Sequence, residues 1–126
     1  MAMQYGSQAY QSTGQASEAF SADPSQLITM LFDGAIDRIT VSKAALERGD
    51  FALKGMLISK AITIIDGLRA HLDMERGGDI AKNLSDIYIY AENRLFEANF
   101  HNDLKMLDEV IGLIQNIREG WIQIYP

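Results

Sequence analysis

The chain has 126 residues, 48% of them hydrophobic, with a net charge of −6 and no cysteine. That length fits one domain with a real core; the missing cysteine excludes a disulfide framework and a thiolate zinc site, and the acidic balance disfavours nucleic acid and anionic membrane surfaces, which favour clustered Lys and Arg. No apolar run is long enough to span a bilayer, and the N-terminus MAMQYGSQAYQS has neither the basic nor the apolar region of a signal peptide, so a cytoplasmic protein without membrane insertion is expected.

From Met1 to Ala22 the chain is rich in Ser, Gln, Gly and Ala without an apolar period. Too little apolar surface is present to offset the entropy of ordering it. Residues 1–22 are therefore expected to form a flexible N-terminal arm, and 23–126 the folded body. Tyr5, Tyr10 and Phe20 stand out in that arm, either as docking groups for a groove or partner or as scattered aromatics without a role.

Helix 1 has a clear start. Asp23 can cap, Pro24 suits the first helical position because its missing N–H would be unpaired there, and Gln26 completes a capping box. The helix runs to about Arg48, with Leu27, Ile28, Leu31, Phe32, Ala35, Ile36, Ile39 and Leu46 on one broad face, and Gly49 ends it. Asp50 caps helix 2, which the periodicity carries from about Phe51 to Glu75 on the stripe Leu57, Ala61, Ile64, Leu68 and Leu72, widened by Ile58, Ile62 and Ile65. Its high apolar content predicts a central position.

Gly77 and Gly78 break the chain, Asp79 is read as the next cap, and helix 3 reaches about Asn99 with Ile80, Leu84, Ile87, Ala91, Leu95 and Ala98 inward. FHND makes a turn in which Asn102 or Asp103 caps helix 4. There Leu107, Val110, Ile114, Ile117, Trp121 and Ile124 alternate steps of three and four, which places them along one side. Short links between long helices make neighbours antiparallel, so the predicted fold is all-α, an antiparallel up-down four-helix bundle.

A di-metal carboxylate site would need Glu-x-x-His pairs, yet His71 follows no Glu at that spacing and His101 lies four after Glu97. The glycine pair is not followed by the Lys and Ser or Thr of a phosphate loop, and Asp33 with Asp37 reads as a solvated face. No metal, no cofactor and no enzymatic activity are expected. Gly34, Gly55, Gly67, Gly112 and Gly120 lie inside helices, at about 1 kcal/mol each relative to Ala. They mark either tight helix packing or shallow grooves for a foreign polypeptide.

The segments QAYQ, QLITMLFDGAIDRI, KAITIIDGLRAHLD, IAKNLSDIYIYAENRLFEAN and DEVIGLIQNIREGW, in this order, resemble the FliS family of flagellar secretion chaperones. The resemblance covers nearly the whole chain. It implies a bundle without catalysis that binds the disordered C-terminal segment of flagellin, prevents premature polymerisation and delivers it to the type III export gate. It further implies that the segment wraps the bundle as helices in its grooves, that the arm can fold back over part of them, and that Tyr10 docks on the gate protein FlhA. Ser7 stands where some members carry an apolar residue. Candidates for flagellin contact are Asn83, Tyr88, Tyr90, Arg94 and Asn99, which match recurring aromatic and polar positions of the family, with Ile62, Ile65 and Phe96 flanking the core stripes. The polar ones also have a purely internal reading, as caps and interhelix hydrogen bonds. The rival to this function is a structural or regulatory bundle that self-associates through the same apolar surface, giving a homodimer when free.

Overall fold

A computed structural model describes residues 23–125, which form α1 (Pro24–Glu47), α2 (Phe51–Ala70), α3 (Met74–His101) and α4 (Leu104–Ile124). The expected arm, with Tyr10 and Ser7, lies outside the described residues. The start of α1 follows from local chemistry. Asp23 Oδ1 accepts from the Gln26 N–H at 2.8 Å while Gln26 Oε1 accepts from the Asp23 N–H at 3.2 Å, closing the capping box. At the other end Gly49 takes φ +79°, and the Gly49 and Asp50 N–H groups donate to Leu46 and Ala45, which satisfies carbonyls that the helix leaves open.

The next boundary differs from the sequence expectation. Helix α2 stops at Ala70 rather than Glu75, and Asp73, not Asp79, caps α3 by accepting from the Arg76 N–H at 3.1 Å. His71, in the tautomer protonated at Nδ1, donates to the Gly67 carbonyl at 2.7 Å and helps end α2. The glycine pair still interrupts the helix, now from inside α3: Gly78 adopts φ 53° and ψ −130°. A Cβ at Gly77 would come within 2.6 Å of the Ala81 Cβ, so the turn closes only around glycine. After the kink Ile80, expected inward, is 74% exposed, and Ala81 is buried instead.

Adjacent helices run antiparallel. Gly34 faces Ile64 and Gly67 faces Leu31, while Lys43 near the end of α1 pairs with Asp108 near the start of α4 and Arg118 near the end of α4 pairs with Asp33. Lys54 at the start of α2 bonds Asn99 and Asn102 at the end of α3. Each helix has its main contacts with two others in a ring, closed by α4 against α1, so α2 is no more central than the rest. The core is Phe32, Ala35 and Ile39 of α1, Ile58, Ala61, Ile65 and Leu68 of α2, Tyr88, Ala91, Leu95 and Ala98 of α3, and Leu107, Val110 and Ile114 of α4. On α2 this is one step round from the predicted stripe: Ile58 and Ile65 point in, and Ile64 turns toward α1. Ile117 and Trp121 are half-buried, and Ile124 is exposed at the frayed end.

Candidate partner-binding site

Among the exposed apolar side chains of the described residues, two regions stand out. One is the seam between α2 and α3. Gly55 of α2 meets Asn99 of α3, where a Cβ would lie 3.7 Å from Asn99 Oδ1, and Ile62 stands two turns further along the same side of α2. Phe96 lies one turn before Asn99, and beyond it Phe100 extends into solvent. Phe51, Phe96 and Phe100 are 56%, 59% and 83% exposed, so this flank carries large aromatics that the bundle itself does not cover. Lys54 anchors its end. Buried among these groups, it donates from Nζ to the Asn99 carbonyl at 2.9 Å and to Asn102 Oδ1, and its ammonium lies 5.7 Å from the Phe51 ring centre.

The other region is an apolar cavity of about 370 Å³ at the end of the bundle where α1 and α3 begin and α2 and α4 finish. Ile28, Leu72, Leu84, Ile117, Trp121 and Ile124 form much of its wall. Trp121 is fixed by donating from Nε1 to Thr29 Oγ1 at 3.2 Å and by stacking against Tyr125, with ring centres 4.4 Å apart. Tyr88 closes the inner side, and burial pushes its phenol up to about 12. A Cβ at Gly120, on the rim, would meet no described atom within 4 Å, and the same is true of Gly112. Gly34 and Gly67 instead sit against side chains of the facing helix. The packing reading therefore holds at Gly34 and Gly67, while Gly112 and Gly120 face open space.

The sequence candidates fall into separate places. Ile62, Phe96 and Asn99 belong to the α2–α3 seam. Tyr90 and Arg94 face α4: the Tyr90 hydroxyl donates to Glu109 Oε2 at 2.6 Å and Arg94 Nε donates to Glu109 Oε1 at 2.7 Å. These bonds, Tyr90 first, hold the Glu109 carboxyl below the usual carboxylate range, and the bond to Glu109 raises the Tyr90 phenol. Asn83 is exposed near the start of α3. Ile65 and Tyr88 are core residues with almost no exposed surface, so in this conformation neither meets a partner on the seam.

Sequence reasoning missed Lys54, Glu92 and Glu109. For the first two a signal existed, since Lys54 and Glu92 are charged residues at core-facing positions, one turn from Ile58 and from Tyr88 and Leu95. Glu109 had none, because its partners lie on another helix. Among the described residues no group of His, Cys, Asp and Glu is placed to hold a metal ion, and no helix is long and apolar enough to cross a membrane. The surfaces on offer are apolar and extended, a form suited to taking up a polypeptide segment.

A family model described as flagellar protein FliS matches residues 6–126 of the chain. The chain is similar to the flagellar secretion chaperone FliS of Salmonella typhimurium strain LT2, 50% identical over 122 residues, covering 96% of this chain and 90% of that protein. It is also similar to the FliS chaperone of Vibrio cholerae, 44% identical over 119 residues (94% and 88% covered). With the FliS chaperone of Bacillus subtilis strain 168 the identity is 32% over 103 residues (82% and 76% covered).

Proposed function

The chain belongs to the FliS family of flagellar secretion chaperones, and from that premise we propose that it binds the C-terminal segment of flagellin in the cytoplasm. Held there, flagellin is kept from polymerising until the complex is delivered to the type III export gate. The observation that carries this reading is the line of uncovered aromatics, Phe51, Phe96 and Phe100, beside Ile62 and Asn99. A segment that folds into helix as it binds loses chain entropy of about 1–2 kcal/mol per residue, whereas one well-buried Phe contributes about 1.5–3 kcal/mol. One aromatic contact cannot offset the ordering of a whole turn. A long contact with several apolar anchors can, and the seam with the cavity supplies such a series.

In this reading Ile62, Phe96 and Asn99 touch flagellin directly, Asn83, Tyr90 and Arg94 offer polar contacts further round α3, and Ile65 and Tyr88 act from beneath by setting the shape of the surface. Tyr10, which lies outside the described residues, is the contact for FlhA. Calorimetry with full-length flagellin and with flagellin lacking its C-terminal segment tests the binding mode. Binding of the full-length subunit alone is expected, and equal affinity for both would overturn it. The same uncovered aromatics favour one rival, a homodimer closed across this face. Light scattering of the free protein separates the two, because a dimer that buries the seam must dissociate as flagellin is added.

A further inference from the structure

Helix α3 leaves its axis at Asn102, whose φ of 52° is left-handed. The Asp103 N–H, which would meet the Asn99 carbonyl in a continuing helix, donates to the Ala98 carbonyl instead at 3.1 Å. The Asn99 carbonyl is thereby left to a donor from outside α3. Lys54 of α2 supplies it: Nζ donates to that carbonyl at 2.9 Å and to Asn102 Oδ1, and it lies 5.7 Å from the centre of the Phe51 ring. The lysine is 5% exposed, and none of the ion pairs among the described residues includes it. A buried ammonium without a counter-ion is costly, and a methionine would fill the same space at lower cost, so packing alone does not account for it. What the ammonium adds is a fixed geometry between a carbonyl, a side-chain amide and a ring face.

The turns it joins carry the uncovered aromatics. Phe51 stands one turn before Lys54 on α2, Phe96 one turn before Asn99 on α3, and Phe100 directly after Asn99. The Phe100 ring also sits edge-on to His101, with ring centres 4.9 Å apart, so it moves with the last turn of α3. We propose that Lys54 is a positioning residue for the cargo: by tying the first turn of α2 to the last turn of α3, it sets the spacing between Phe51 on one side of the seam and Phe96 and Phe100 on the other. Anchors whose spacing is fixed before binding lose less freedom when the partner arrives. Lys54 touches no cargo and acts through the rings. This inference rests on the reading of the seam as the flagellin site.

A double-mutant cycle tests it. Calorimetry with full-length flagellin is run on the parent, on Lys54→Met, on Phe96→Ser with Phe100→Ser, and on all three substitutions together, each at a temperature where circular dichroism shows the chain fully folded. Lys54→Met should weaken binding about three- to tenfold in the parent, and less than about twofold once the two rings are gone. Ile39→Val, which loosens the core on α1 away from the seam, should leave affinity unchanged. Equal losses from Lys54→Met in both backgrounds, or a loss in Ile39→Val as large as in Lys54→Met, would reduce Lys54 to a stability role and overturn the proposal. If the paired Phe variant binds weakly while Lys54→Met binds like the parent, the proposal falls and the flagellin reading stands. If the paired Phe variant itself binds like the parent, that reading falls and the role of Lys54 falls with it. Should Lys54→Met not fold, Asn102→Gly decides: it keeps the left-handed backbone, removes one acceptor of the ammonium, and should weaken binding in the same direction. Unchanged affinity in Asn102→Gly would then overturn the proposal.

Discussion

Single side chains in this bundle do work that their type alone does not announce. Lys54 is buried yet ends on the last carbonyls of α3, where the helix dipole favours a cation and the open C=O groups need donors. Lys54→Met keeps the stem and removes the ammonium, leaving the Asn99 carbonyl and the Asn102 side chain without this donor. It should lower stability by about 1–3 kcal/mol, measured as a fall in the urea midpoint with an unchanged slope. Glu109 contributes a stability that depends on pH. Its carboxyl is held below the usual range by Tyr90 and Arg94, so the stability it contributes is present above about 4.5 and is lost as pH falls through its folded value. Glu109→Gln should therefore be less stable than the parent at pH 7 and approach it as the pH falls below about 4.5, as acid unfolding would register. Retention of the parent's full pH dependence by that variant would remove Glu109 from the α3–α4 clasp.

The helices themselves were legible to the extent that their signals are local. Asp23-Pro24 with Gln26, and Gly49-Asp50, each state a helix end within a few residues, and both ends lie where those residues put them. The α2–α3 boundary was not legible in this way, because Leu72 continues the apolar period of α2 and hides a break made by Asp73 and His71. Ile80, the first residue of the apolar period after that break, is exposed instead, and Ala81 is buried beside it. The site was legible only in part. The family resemblance singled out Asn99, and the flank of the core stripe Phe96, but periodicity did not tell Ile62 from Ile65, since a single turn separates seam from core. The kink itself is testable. Gly78→Ala places a Cβ on backbone that L residues rarely adopt, at a cost of about 1–3 kcal/mol. The first turn of α3 should relieve that strain by opening, with faster hydrogen exchange confined to residues 74–79 and the later turns of α3 unchanged.

At the scale of the whole molecule, four antiparallel helices bury one continuous core and leave Phe51, Phe96 and Phe100 outside it. On the proposed reading, stability and partner contact rest on different residues, and substitution can separate them. The double variant Phe96→Ser with Phe100→Ser removes exposed rings that the core does not use, so its urea midpoint should stay close to that of the parent. Each ring, if buried by flagellin, contributes about 1.5–3 kcal/mol, and 1.4 kcal/mol is a factor of ten, so affinity for full-length flagellin should fall at least about tenfold. Tyr10→Ala is the converse case: calorimetry should find flagellin affinity unchanged while export into the medium drops, if the arm serves the gate and the bundle serves the cargo. An aromatic double variant that binds flagellin as tightly as the parent would move the cargo off the seam. A Tyr10 variant that loses affinity as well as export would join arm and groove into one surface. The assignment of cargo to the seam and the gate to the arm stands only if the two variants fail in opposite assays.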